Sequence, residues 1–181
     1  MRSPRRATVT RLAPLLLTTA LVAAACGSGD TGASAGAPDT QPAATGTPAA
    51  LASAVTVDDQ PFDVTVLDGR HAVAWFWAPW CVICRAEGPD VAEVAARFGD
   101  RVTVFGVAGR GGVPAMQAFV ADTGTASLTH VADVDGTIWE AYGVYGQPAF
   151  AFIDDDGSFD LFVGSMGAAA LAQRIDALLT A

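Results

Sequence analysis

No lysine occurs anywhere in the 181 residues, and all ten basic side chains are arginine. We read that absence as a coding bias rather than a mechanism. Four of the arginines are Arg2, Arg5, Arg6 and Arg11, so beyond residue 25 six arginines face all 19 acidic residues. That balance excludes nucleic acid as a partner, because phosphate contacts need basic side chains in number. Histidine is scarce too. His71 and His130 are the two, in unrelated apolar contexts, and with Cys26, Cys81 and Cys84 they do not make a structural zinc set. No metal and no cofactor is expected. After residue 25 there is no long apolar run, which argues against a membrane span in that part of the chain. Core-forming material is abundant, however: hydrophobic residues are 51% of the chain, enough to exclude global disorder.

The ends of the chain differ in kind. The four early arginines precede an apolar stretch from Leu12 to Val22, then Ala23, Ala24 and Ala25. A basic start, a short apolar centre and small residues at the end form an export signal, too short for a spanning helix. Cys26 then has two readings. As the lipid-attachment residue of a lipoprotein it follows small residues, although Ala23 stands where that pattern usually has Leu. As an ordinary residue it follows an A-x-A cleavage site. A lone exported Cys otherwise lacks a partner, which favours lipid attachment. Residues 27–53 are rich in Gly, Ser, Thr, Pro and Ala, with no aromatic residue. They bury too little to offset the entropy of ordering and are expected to be a flexible tether. The expected organisation is therefore a signal over 1–25, an attachment residue and linker over 26–54, and one folded domain over 55–181.

Within that domain strand and helix signals alternate. Phe62 to Val66 is expected as a strand, and Ala72 to Trp77 reads as a central strand buried on both faces. Val91, Val94, Ala95 and Phe98 fall at helical spacing, with Gly99 placed to end the helix. Val102 to Val107 follows as a strand, a helix opens at Pro114 and runs to about Asp122, and Leu128 to Val131 is a short strand. Thr137 to Tyr142 is a short helix. Ala149 to Ile153 and Phe159 to Val163 form a hairpin across Asp154-Asp155-Asp156-Gly157. Leu171, Ile175, Leu178 and Leu179 mark a closing amphipathic helix. The fold class is α/β, with a mixed central sheet flanked by helices.

The chemistry sits in Trp80-Cys81-Val82-Ile83-Cys84-Arg85-Ala86-Glu87. Two cysteines two residues apart, after a buried strand and at a helix start, form a redox pair. The helix N-terminus offers unpaired N–H groups and partial positive charge, which favour a thiolate at Cys81, the attacking species in disulfide exchange. Cys84, one turn further in, can resolve the mixed disulfide. A c-type haem site would need His where Arg85 stands. A purely structural disulfide closes too short a loop to stabilise much.

The run WFWAPWCVIC, with YGQPAF downstream, resembles the thioredoxin superfamily, and most closely its exported TlpA/ResA/DsbE-like branch, which includes secreted mycobacterial-type DsbE proteins. The resemblance covers residues 55–181 and implies a thioredoxin-like fold with the extra helix and strand of the TlpA type. It implies that Pro148 is the cis-proline beside the active-site disulfide and that the backbone of Gln147 pairs with a substrate strand. Pro89 matches the proline that bends the active-site helix. Plain thioredoxin has a buried Asp where Trp75 stands here, so the proton acceptor for the buried thiol must come from elsewhere. Glu87, three residues after Cys84 on the same helix face, is the candidate, and TlpA-like proteins have a Glu there. No proline separates the cysteines.

Other features have plain readings. Gly109-Arg110-Gly111-Gly112 lacks the Lys-Ser/Thr of a phosphate loop and is a strand-to-helix loop. The Asp-Gly clusters at 133–136 and 154–157 lack the spaced Glu of a calcium loop and are turns. Trp75 and Trp77 are expected in the core, whereas Trp80 adjoins Cys81 and is a candidate wall of the substrate groove. His71 and His130 are assigned no role. The expected function is an extracytoplasmic thiol–disulfide oxidoreductase that oxidises thiols of exported proteins. The clients would be protein thiols or disulfides, and a membrane redox partner would reset the pair. The alternative is a disulfide reductase in cytochrome c maturation. A peroxidase would need Thr/Ser-x-x-Cys where Ala78-Pro79-Trp80-Cys81 stands, and a binding protein with an inert disulfide is the remaining class.

Overall fold

The structure is a computed structural model that describes residues 49–181. The expected signal over 1–25, Cys26 and the tether up to residue 48 lie outside the described residues.

Five strands form one mixed sheet: β1 (Ala72–Trp77), β2 (Thr103–Gly109), β3 (Thr129–Asp133), β4 (Ala149–Ile153) and β5 (Phe159–Val163), in the order β3-β2-β1-β4-β5. β1 and β2 pair in parallel, as do β2 and β3, while β4 runs antiparallel to both β1 and β5. Parallel neighbours cannot be joined by a tight turn. Helix α1 (Val82–Phe98) therefore bridges β1 to β2, and α2 (Val113–Thr123) bridges β2 to β3. A short α3 (Thr137–Ala141) precedes β4, and α4 (Ala168–Leu178) follows β5.

The unbroken apolar run of β1 follows from its central place. Val73, Trp75 and Trp77 point into the layer formed with α1, α2 and α4, where Val91, Val94, Phe119, Leu171 and Ile175 also pack. Ala72, Ala74 and Phe76 point the other way, onto α3 and the N-terminal segment, and all six strand residues are buried. Trp77 stacks on Phe119 with ring centres 4.0 Å apart. Its indole N–H donates to Nδ1 of the buried His130, 3.2 Å away, in space left by Gly106, where a Cβ would lie 2.1 Å from that nitrogen.

Two sequence expectations are corrected. Residues 62–66 are not a strand. The Asp63 carboxylate accepts the Thr65 N–H at 3.1 Å and its hydroxyl at 2.6 Å, and this cap starts a 3-10 turn over Val64–Leu67. The apolar alternation there arises because Phe62 and its neighbours pack on the sheet face, with Phe62 5.2 Å from Phe105, rather than from membership of the ladder. Second, the ordered body includes residues assigned to the tether. Ala49–Ser53 form a 3-10 turn, and Leu51 is fully buried in the layer beneath α3. Residues 55–57 then run along β3, with Val57 N–H on the His130 carbonyl at 2.8 Å and Ala132 N–H on the Val55 carbonyl at 2.9 Å. They cover an edge that would otherwise stay unpaired.

The topology also gathers the site. Trp77 pairs with Ala108 and Phe76 with Ala149, so the C-terminal ends of β1 and β2 and the N-terminal end of antiparallel β4 meet at one end of the sheet. Strand order reverses direction between β1 and β4, the place where open α/β sheets leave a crevice.

Candidate functional site

Leaving β1, the chain turns through Pro79 and Trp80, and the Cys81 N–H returns to the Ala78 carbonyl at 3.0 Å. Cys81 is then the N-cap of α1, in extended conformation, and its sulfur accepts the Cys84 N–H at 3.1 Å. A helix start leaves several N–H groups unpaired, and this one aims at the sulfur. Cys81 and Cys84 are joined as a disulfide. Cys81 retains 5% exposure and Cys84 none. Around them the surface is apolar: Trp80 is 59% exposed, Val82 79% and Ile83 55%. These side chains occupy the helix tip facing solvent, since the opposite face of that turn carries Cys84 and Glu87 inward.

Glu87 is buried one turn beyond Cys84 on the inward side of α1. Its Oε1 accepts the Met166 backbone N–H and the Ser165 hydroxyl, the latter at 2.9 Å, and its Oε2 accepts the Trp75 indole N–H at 3.1 Å. Burial pushes the carboxyl above its ordinary range. The three donors pull it back, and burial wins. All three neighbours are donors, so the pocket accommodates the carboxylate, while desolvation disfavours its charge.

Three loops meet beside the disulfide. The Trp80 indole N–H donates to the Arg110 carbonyl at 2.9 Å. The Arg110 guanidinium donates to Oε1 of Gln147 at 3.1 Å and to the Tyr145 carbonyl at 3.0 Å, and lies 4.9 Å over the Trp139 ring. The next residue, Gly111, packs on the active-site turn so closely that a Cβ there would lie 2.5 Å from Pro79 Cγ. Pro148 is buried at the start of β4, and the Gln147–Pro148 bond is cis.

Of the residues singled out in the sequence, Cys81, Cys84, Trp80, Gln147 and Pro148 lie at this one end of the sheet, and Glu87 lies behind the disulfide. Cys26 is outside the described residues. The sequence reading missed Ser165 and Met166, which come from the β5–α4 loop, and assigned Trp75 to the core without seeing its polar contact. In the sequence Arg110 reads only as part of a loop. The signal that could have found it is a single arginine among three glycines directly after a strand. Pro89 lies inside α1. His130 has a structural role: Nε2 lies 3.0 Å from the Thr125 carbonyl, which assigns the proton there and leaves Nδ1 to accept from Trp77. Burial lowers its pKa. Asp133 accepts the N–H groups of Ile138 and Trp139 at 3.1 and 2.8 Å, holding the start of α3.

The AhpC/TSA family matches residues 45–160. The chain belongs to that family. It is 43% identical over 130 residues to the soluble secreted antigen MPT53 of Mycobacterium tuberculosis, covering 70% of this chain and 73% of that one. Two solved structures from the same organism superpose closely. DsbF, described in mixed oxidised and reduced forms, is 46% identical with a TM-score of 0.68 over 73% of this chain and 98% of its own. A secreted disulfide oxidoreductase homologous to DsbE is 39% identical with a TM-score of 0.65 over 72% and 100%. With the Cys81–Cys84 disulfide, this AhpC/TSA member is a thioredoxin-like thiol–disulfide oxidoreductase.

Proposed function

We propose that the protein works outside the cytoplasmic membrane as an oxidant of exported protein thiols. What supports this reading is the likeness to a secreted disulfide oxidoreductase, taken with the Cys84 N–H held on the Cys81 sulfur at the tip of α1. On reduction that donor and the helix N-terminus stabilise a Cys81 thiolate, and a stabilised reduced form makes the pair a better electron acceptor. A client thiolate attacks Cys81 Sγ and the Cys81–Cys84 bond breaks, with Cys84 taking a proton from the Glu87 carboxyl. A second client thiolate attacks the client sulfur of the mixed disulfide, forming the client disulfide, and releases Cys81 as thiolate. The client loses two electrons and gains one disulfide, and the protein becomes a dithiol. In the reverse direction Glu87 takes the Cys84 proton so that Cys84 can resolve the mixed disulfide. Trp80, Gln147 and Pro148 line the groove where the client segment lies, with the Gln147 backbone pairing to it.

A membrane redox partner restores the disulfide. Localisation outside the cytoplasm agrees with the secreted relatives, and Cys26 carries the lipid anchor. An N-terminal peptide bearing lipid mass, and release of the protein from membranes by Cys26→Ala, would support the anchor. An unmodified N-terminus recovered from the medium would favour simple secretion.

The function is tested by a paired assay. The oxidised protein is mixed with a reduced, unfolded protein that needs several disulfides, and separately the reduced protein is mixed with a disulfide-linked substrate under dithiol supply. Stoichiometric disulfide donation with poor reductase activity is expected. A reduction potential near that of thioredoxin, with no donation, would replace the oxidant with the cytochrome c-type reductant.

A further inference from the structure

We infer that Arg110 is the positioning residue of the redox groove, holding Trp80 and the Gln147–Pro148 loop at a fixed separation so that a polypeptide segment can lie between them. The inference rests on the oxidoreductase reading of the disulfide but not on the direction of electron flow.

The first observation concerns backbone conformation. In Gly109-Arg110-Gly111-Gly112 the residue in the left-handed region is Arg110, at φ 55°, and none of the three glycines around it has positive φ. Glycine is the default wherever the chain needs that conformation, because a Cβ is disfavoured there. A loop shaped only by backbone need would place its glycine at 110. A side chain retained in a disfavoured backbone state points to something that side chain does.

The second observation is what the residue holds. Its carbonyl accepts the Trp80 indole at 2.9 Å, on the residue before Cys81. Its guanidinium forks onto the Gln147 side chain and the Tyr145 carbonyl, at 3.1 and 3.0 Å, on the loop entering β4. The Trp139 face beneath it fixes the fork to the core. None of these acceptors is a carboxylate, and among the described residues Arg110 makes no ion pair. The rigid planar fork is therefore used to span two loops rather than to balance charge. Gly111 against Pro79 presses the same loop onto the active-site turn. One residue thus sets both walls of the groove that flanks Cys81, while touching neither sulfur.

The consequence is selectivity between substrates. A small dithiol needs only the exposed face of Cys81. A polypeptide needs both walls in register. Arg110→Gly removes the fork and relieves the backbone, so its thermal midpoint should equal or exceed that of the wild type. Its kcat/KM for oxidation of reduced, unfolded ribonuclease should fall about tenfold through KM, the size expected for losing two charge-assisted hydrogen bonds at an exposed site. The fall for dithiothreitol should be at least fivefold smaller. Arg110→Lys, which keeps charge without the fork, should lie between. Equal losses for both substrates, or a polypeptide KM unmoved in Arg110→Gly, would overturn the assignment. If the wild type fails to oxidise ribonuclease, the oxidant reading falls, and the same three proteins are compared on reduction of a disulfide-linked polypeptide against a small disulfide. The Arg110 inference predicts the same split there.

Discussion

Trp75 on β1 donates its indole N–H to Oε2 of Glu87 on α1, 3.1 Å across the buried layer. At this strand position, where the thioredoxin resemblance would place an Asp, the chain carries a donor, and the acid that accepts from it is on the helix. Both side chains are more than nine-tenths buried, so the bond is shielded from water and counts for more than at the surface.

Removing this donor should therefore act on chemistry through Glu87. Trp75→Phe keeps the ring but withdraws one of three hydrogen bonds to the carboxylate, so the Glu87 pKa rises further and the pH profile of disulfide exchange moves to higher pH. Glu87→Gln should abolish that inflection and slow resolution of the mixed disulfide by about 10²-fold, the lower range for a positioned acid–base group. Stopped-flow exchange measured from pH 4 to 9 reads both. Unchanged profiles would make Glu87 a purely structural acid.

The cysteines should divide their roles by access. Cys84→Ser should accumulate mixed disulfides with client proteins through Cys81, whereas Cys81→Ser should trap none, because Cys84 is fully buried. Non-reducing gels followed by peptide mapping decide it, and trapping at Cys84 would reverse the assignment.

His130 predicts an acid-side loss of stability. Burial lowers its folded pKa below the ordinary 6.5, so as pH falls the unfolded chain takes the proton first. Its contribution is complete above about 6.5 and is lost as pH drops toward the folded value. Protonation would also set an Nδ1–H against the Trp77 N–H. Glu87 and Asp133 have raised pKa values, and their contributions run the other way, present at low pH and lost as pH rises through the folded pKa. The difference between wild type and His130→Gln isolates the histidine. In urea titrations the wild-type advantage at pH 7.5 should shrink by pH 5, and a constant gap would contradict it.

Leu51 tests where the folded body begins. It is fully buried under α3, so Leu51→Ala should cost about 2–5 kcal/mol. A chain starting at residue 55 should be destabilised by at least as much, and one starting at residue 49 should not. Equal urea midpoints for the two truncated chains would place the boundary after the 3-10 turn.

The strands and helices that pack on both sides by strict periodicity were legible from the residues. β1, the hairpin of β4 and β5, and α1 follow from runs whose apolar spacing has one structural solution. The segment 62–66 did not, because a half-buried strand and a 3-10 turn lying on a sheet show the same alternation. A local carboxylate cap at Asp63 decided between them. Composition likewise assigned residues 49–54 to the linker, since one leucine among alanines carries no periodic signal and its burial depends on a cavity made by distant elements.

By itself the sequence determined the α/β class and the reactive pair, because each rests on neighbouring residues: alternating periods, and two cysteines one helical turn apart. Tertiary structure alone decided what surrounds that pair. Glu87 gains its donors from positions 12 and 78 or 79 residues away, and Trp80 is joined through Arg110 to Gln147 across separations of 30 and 37 residues. No local pattern encodes such contacts. They exist because parallel β1 and β2 and antiparallel β4 deliver three loops to one end of the sheet, where burial and hydrogen-bond geometry select the partners.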